Sequence, residues 1–229
     1  MRPVHPAQLS SVRSQLSRIG LGLLFIALVA WSTDFLFDVF AKYRQVDPGT
    51  YTMFWERRAW LWIHLAGGAL TILLGPVQFL SRCLGASWLH RWAGRLFLVG
   101  MLVGSTGAVG LIATSPAPPS IRFAFAATAL AWLTTALFGL VSIRNGRVRH
   151  HGAWMIRCYL VTLAPITFRA AILMPEVFTI VSPPPDGIAW LLWLSWVVPL
   201  AAYEMGRRIR RARARFRSPP TGSMPSTEG

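Results

Sequence analysis

Three stretches of this chain run for more than twenty residues without an aspartate, glutamate, lysine or arginine: residues 59–81 (23), 96–121 (26) and 123–143 (21). Few structures are open to such segments. About 20 apolar residues, at about 1.5 Å each, cross roughly 30 Å of hydrocarbon as a helix. Inside a bilayer only helices and closed barrels satisfy their own backbone. Three further segments read the same way. Residues 19–33 are uncharged and stay apolar to Phe40, residues 154–175 are interrupted by Arg169, and residues 187–203 form a short run of 17. Proline-rich punctuation separates the third from the fourth (residues 114–120, TSPAPPS) and the fifth from the sixth (residues 182–187, SPPPDG). Cleavage of a leader after Ala30 would put Leu28 where a small residue is needed, so the first segment is expected to remain as a helix. The expectation is an all-α, polytopic integral membrane protein, a six-transmembrane-helix bundle. Its divisions are a segment 1–17, a transmembrane domain 18–206 and a basic, disordered tail 207–229, with no internal repeat.

Charge agrees with this reading. Only 14% of residues are charged, against about 25% in soluble domains, and 54% are hydrophobic. The net charge is +15, from 23 Lys+Arg against 8 Asp+Glu. The cations lie between apolar runs and in the tail, which suits anionic headgroups; membrane lipids are expected partners and nucleic acid is not. Seventeen of the cations fall on one side of the six segments and five on the other, with Arg169 inside the fifth. The positive-inside rule then puts both termini in the cytoplasm and the protein in the inner (plasma) membrane, crossing it several times. Cys83 and Cys158 form no C-x-x-C motif and are expected as free thiols.

Lipid offers polar side chains no partner, so they should gather on inward faces. In the second segment His64, Gly68, Thr71, Gly75 and Gln78 share one helical stripe. In the fifth, His151, Met155, Cys158, Thr162, Pro165 and Arg169 share another. Arg169 is expected to point inward near His64 and the first helix, with Asp34 as the carboxylate at matching depth. His64, Gln78, Arg169 and Asp34 are thus the expected polar interior. Gly100, Gly104 and Gly107 read as a close-packing face.

Two clusters, WLHRWAGR (residues 88–95) and HHGAWMIR (residues 150–157), open the third and fifth segments. His90 and His151 therefore share one membrane face, where the sixth segment ends in Glu204 and Arg207. Together HLAGGALTILLGPVQF (64–79), LHRWAGRLF (89–97), HGAWMIRCYLVTLAPITFR (151–169) and WVVPLAAYE (196–204) resemble the bacterial membrane proteins of domain of unknown function 2306. The resemblance covers the second to sixth segments. It implies no established activity; the family is sometimes grouped, at a distance, with membrane cytochromes of the two-haem type. Where the family commonly has His-Arg-Arg-Trp-Met, this chain has His151-Gly152-Ala153-Trp154-Met155, and a doubly charged phosphate clamp is not expected there.

Two imidazoles at one depth are what a b-type haem requires. No helix carries two widely spaced histidines, so one bis-histidine haem at most fits, held by His90 and His151. The leading expectation is a redox-linked membrane protein using such a haem or a quinone, with a quinone or redox partner and with homodimer formation open. If the two histidines hold a cofactor, their rings are expected to converge on a gap lined by Gly94 and Met155; as lipid anchors they would splay toward headgroups. The competing reading makes both clusters interfacial anchors: tryptophan at headgroup level, arginine on lipid phosphate, histidine bonded to backbone. Zinc would need three or four ligands, and only His90, His151, Glu204 and Cys158 are at hand; no metal site is expected. Small-molecule transport along the His64–Gln78 stripe, with Pro76 and Pro165 breaking their helices, is the alternative from another class. Hydrolase elbows and phosphate loops are absent from the sequence.

Overall fold

The computed structural model describes residues 6–174 and 186–217, and among them every regular element is helical. Helix α1 (Pro6–Tyr43) leads through a short α2 (Pro48–Tyr51) and a 3-10 turn (Thr52–Arg57) into α3 (Arg58–Cys83). Then follow α4 (Ser87–Ala113), α5 (Pro119–Arg144), α6 (Val148–Thr162), α7 (Ala164–Ile172) and α8 (Asp186–Arg217). Among the described residues five spans are long and apolar enough to cross a membrane, and α6 with α7, bent by 41°, brings the number to six if the pair is one broken span. The SPPPDG turn lies largely outside the described residues. Helix α8 runs on through Arg217, so the stretch after residue 206 is helical as far as it is described, where a disordered tail was expected. Arginine and alanine, which dominate that stretch, are both strong helix formers.

Helices α3 to α6 form a four-helix core. Helix α3 packs along α4, α5 along α6, α4 against α5 and α3 against α6, while α8 lies on α5, α6 and α7. Buried side chains from all four helices meet at its centre, among them Ile72, Phe97, Trp132 and Tyr159. The α3–α4 contact is the closest. A methyl group on Gly67 would strike the backbone of Gly104 and Gly100, and one on Gly107 would strike that of His64. Small residues let two backbones approach in this way, and dispersion then holds them together.

Both core hairpins turn alike. Helices α3 and α5 each end in a glycine at positive φ, Gly85 at 68° and Gly146 at 69°, a conformation in which a Cβ would be strained. The next residue's amide then returns to the helix, Ala86 N–H to the Ser81 carbonyl and Arg147 N–H to the Ser142 carbonyl, both at 2.9 Å. This closes a Schellman motif and frees the chain to start the next helix at once.

Prolines act differently at each place. Proline lacks the N–H that would bond the carbonyl four residues back. At Pro76 the freed carbonyl is that of Ile72, and the Tyr159 hydroxyl of α6 donates to it at 3.2 Å; Gly75 leaves room for the tyrosine ring. At Pro199 the freed carbonyl is that of Ser195, and the Thr167 hydroxyl of α7 donates to it at 2.5 Å. Helices α3 and α8 therefore continue through their prolines. Of the two breaks expected, the structure has the one beside Pro165, between α6 and α7; α3 is not interrupted at Pro76.

At the opposite end of the core, the connection between α1 and α3 folds into a cap. Asp47 accepts from the Thr50 amide (2.9 Å) and hydroxyl (2.6 Å). The hydroxyl first, then the amide, hold its carboxyl below the ordinary 3.8. Tyr51, wholly buried, donates to the Tyr43 carbonyl at 2.8 Å and accepts from the Trp62 indole at 2.7 Å.

Candidate functional site

His90 lies in the first turn of α4 and turns back towards α3. Its Nδ1 is 3.2 Å from the Gln78 carbonyl and 3.4 Å from the Ser81 hydroxyl. His151, in the first turn of α6, places Nδ1 at 2.9 Å from the Gly139 carbonyl of α5. A carbonyl only accepts, so Nδ1 carries a hydrogen in each ring, and in the neutral tautomer with that hydrogen the lone pair is on Nε2. Each histidine thus clasps its own hairpin, reaching a carbonyl three positions before the serine that closes the turn. Both rings are half-buried.

The two clasps are one construction used twice. Ser81, Gly85 and His90 recur as Ser142, Gly146 and His151 at one constant offset, with the same backbone turn bonds and the same histidine–carbonyl bond. The sequence reading saw no repeat; the Ser-x-x-x-Gly-x-x-x-x-His spacing was the available signal. The hairpins put His90 and His151 at the same end of the core. Their helices stand diagonally, since α3 and α5 each pack against both while α4 and α6 are not a principal pair.

The expected gap between the rings is not lined by Gly94 and Met155. A Cβ on Gly94 would lie 3.0 Å from the Gln78 side-chain nitrogen, and Met155 Sδ would lie 2.8 Å from one on Gly139. Each residue is covered from within its own hairpin, because the two helices of a hairpin approach too closely to leave a space.

The polar stripe of α3 also faces α4. His64 Nδ1 is 2.9 Å from the Gly104 carbonyl and the Gln78 side chain lies over Gly94, while Thr71 donates within α3 to the Gly68 carbonyl at 2.8 Å and Gly75 meets Tyr159 of α6. Arg169 is elsewhere. It pairs with Asp38 Oδ2 of α1 at 2.5 Å and lies 5.9 Å from the centre of the Phe35 ring. Asp34, the expected partner, is exposed and stands one turn short of that contact. The packed face of α1 carries Leu28, Phe35 and Leu36, and the long arginine side chain reaches outward along it to Asp38.

A second group at the His90–His151 end joins α6 to α8. Arg157 donates through Nε (2.8 Å) and Nη2 (2.6 Å) to Glu204 Oε1, and Arg207 Nη1 lies 3.6 Å from the same oxygen. The Arg157 guanidinium stacks 4.4 Å from the Trp154 ring and 5.7 Å from Tyr203, and that of Arg207 lies 5.6 Å from Tyr203. Sequence reasoning placed these residues on one side without pairing them. Among the described residues no group of three or more His, Cys, Asp or Glu is placed to hold a metal ion. Cys158, expected among zinc's candidate ligands, is buried in the core.

The fold and this end together define a multi-pass, all-helical membrane protein built around two like hairpins. The chain belongs to the family of predicted membrane proteins DUF2306, whose model matches residues 61–205. That match takes in all four core helices and both histidines. No curated protein and no solved structure matches the chain.

Proposed function

We propose that the arginine-rich end of the core binds one b-type haem through His90 and His151, and that the protein is a redox-linked membrane protein. The observation that carries this reading is the duplicated clasp. Both histidines give Nδ1–H to a backbone carbonyl, 3.2 Å and 2.9 Å away, and so keep Nε2 available. Metal-binding imidazoles are held in this way, since the outer hydrogen bond sets the tautomer and makes the ring a better donor. The donor type suits the group: two imidazoles at one end of a four-helix core, each with Nδ1 bonded to a backbone carbonyl. Bound there, haem supplies one-electron exchange. The chain's own part is to orient the rings through the Gln78 and Gly139 carbonyls and to shield that end with the packed hairpins. The arginine bias supports a position for this end on the cytoplasmic side of the inner membrane, where a quinone or a redox protein would be the electron partner.

The test is the visible spectrum of protein purified in detergent from haem-supplemented cells. The expected result is a sharp b-type α band on reduction, abolished by His90→Ala and by His151→Ala and kept in His64→Ala. A colourless parent protein that also leaves added haem unbound overturns the reading. A second reading has its own support: Gln78 over Gly94 and Met155 against Gly139 fill the space around each clasp. If the histidines are clasps alone, both alanine variants melt earlier and no chromophore is present in any of them. The transport alternative has less support, because the stripe it needs is turned onto α4.

A further inference from the structure

We infer that Arg157 and Arg207, bridged by Glu204 between α6 and α8, form a binding site for a phosphate group, such as that of an anionic lipid headgroup. Two guanidiniums share one carboxylate, so the group keeps one unit of positive charge. The sharing is unequal. Arg157 holds Glu204 Oε1 through two nitrogens, at 2.8 and 2.6 Å, whereas Arg207 stands at 3.6 Å from that same oxygen. Arg207 is therefore loosely paired and has donors to offer. A structural ion pair needs one arginine, and here there are two.

The surroundings favour an anion. From residue 205 to 217 the chain has seven arginines and no acidic residue, and α8 carries them helically beyond the core. The Trp154 ring lies 4.4 Å from the Arg157 guanidinium, and the Tyr203 ring 5.7 Å from it and 5.6 Å from that of Arg207, cation–π contacts that restrict the side chains before a ligand arrives. Arg157 lies nine residues into α6, about 13 Å along its axis, nearly one turn beyond Trp154. The Glu204 side chain is 39% exposed and those of Arg157 and Arg207 are 16% and 19% exposed, so the cluster reaches the flank of the protein with the two guanidiniums set behind the carboxylate. Basic sites between transmembrane helices at a positively charged face take up anionic headgroups in this manner. Guanidinium pairs with phosphate through two parallel hydrogen bonds, a geometry that phosphate's oxygens meet well.

Native mass spectrometry of the full-length protein, extracted from vesicles of equal phosphatidylcholine and phosphatidylglycerol, reads the site directly. The parent should keep phosphatidylglycerol in preference to phosphatidylcholine. Replacing both arginines, Arg157→Gln with Arg207→Gln, should reduce that retention on the order of thirtyfold, about fivefold for each cation lost near the surface. Removing two cations from the other end, Arg44→Gln with Arg122→Gln, should leave it unchanged. Glu204→Gln guards against a double variant that fails to fold. It removes the competing carboxylate, keeps an acceptor for Arg157, and should raise retention. Millimolar inorganic phosphate separates the sources: displacement of the lipid marks a site for free phosphate, and persistence of the lipid marks a headgroup site. Equal retention of the two lipids by the parent overturns the inference, as does a Glu204→Gln variant with unchanged or weaker retention.

Discussion

Arg169 and Asp38 show what a single charged pair does in this molecule. An arginine in a membrane segment needs a carboxylate or carbonyls, and α1 presents two aspartates one turn apart. Depth alone does not choose between them. Direction does: Asp34 is exposed, while Asp38 lies where the Arg169 side chain ends. The two side chains are 40% and 43% exposed, so the pair stands at the flank. Its contribution should be about 1 kcal/mol or less, well under the roughly 3–5 kcal/mol lost on breaking a buried pair. Arg169→Gln and Asp38→Asn should each lower the melting temperature in detergent slightly and equally, and the double variant should match either single one. Additive losses would show that the two do not interact.

At the scale of the helix, the prolines and the hydroxyls opposite them act as joints. A proline in a span leaves one carbonyl unpaired, and hydrocarbon has nothing to give it. Tyr159 supplies the donor to α3 and Thr167 the donor to α8, so each defect in one helix becomes an attachment to another. Tyr159→Phe should therefore destabilise the protein by about 0.6–2 kcal/mol, the usual range for such a bond between membrane helices. The control is Pro76→Ala, which restores the missing N–H within α3 and removes the need for the tyrosine. In that background Tyr159→Phe should cost clearly less, measured by thermal melting in one detergent. An equal cost in both backgrounds would mean that Tyr159 stabilises through ring packing on Gly75, Phe79 and their neighbours instead of through the Ile72 carbonyl.

Over the whole molecule, the spans were legible because a membrane helix announces itself by length without charge, and 59–81, 96–121 and 123–143 needed nothing else. Pairing was not legible. His64 and Gln78 share a face, but which helix meets that face depends on the glycines of α4, whose close approach is a property of two helices at once. The hairpin repeat escaped for a related reason: it resides in three residues per copy, with the surrounding apolar positions free to differ. Topology rests on charge placement summed over the chain. By sequence position seventeen arginines fall on the His90 side and five cations on the other, and seven of the seventeen are on the end of α8. Translocating such a stretch would be expensive, since each arginine opposes transfer by about 2.5–3.5 kcal/mol at the bilayer centre. If α6 and α7 are one bent span, six crossings return the chain to the side from which it began. A phosphatase reporter fused at Gly222 should be inactive and one inserted between residues 115 and 120 active, with a cytoplasmic fluorescent reporter giving the opposite pattern. Phosphatase activity at Gly222 would place His90, His151 and the Arg157–Glu204–Arg207 group on the outer face. Their electron and phosphate partners would then have to be sought in the periplasm.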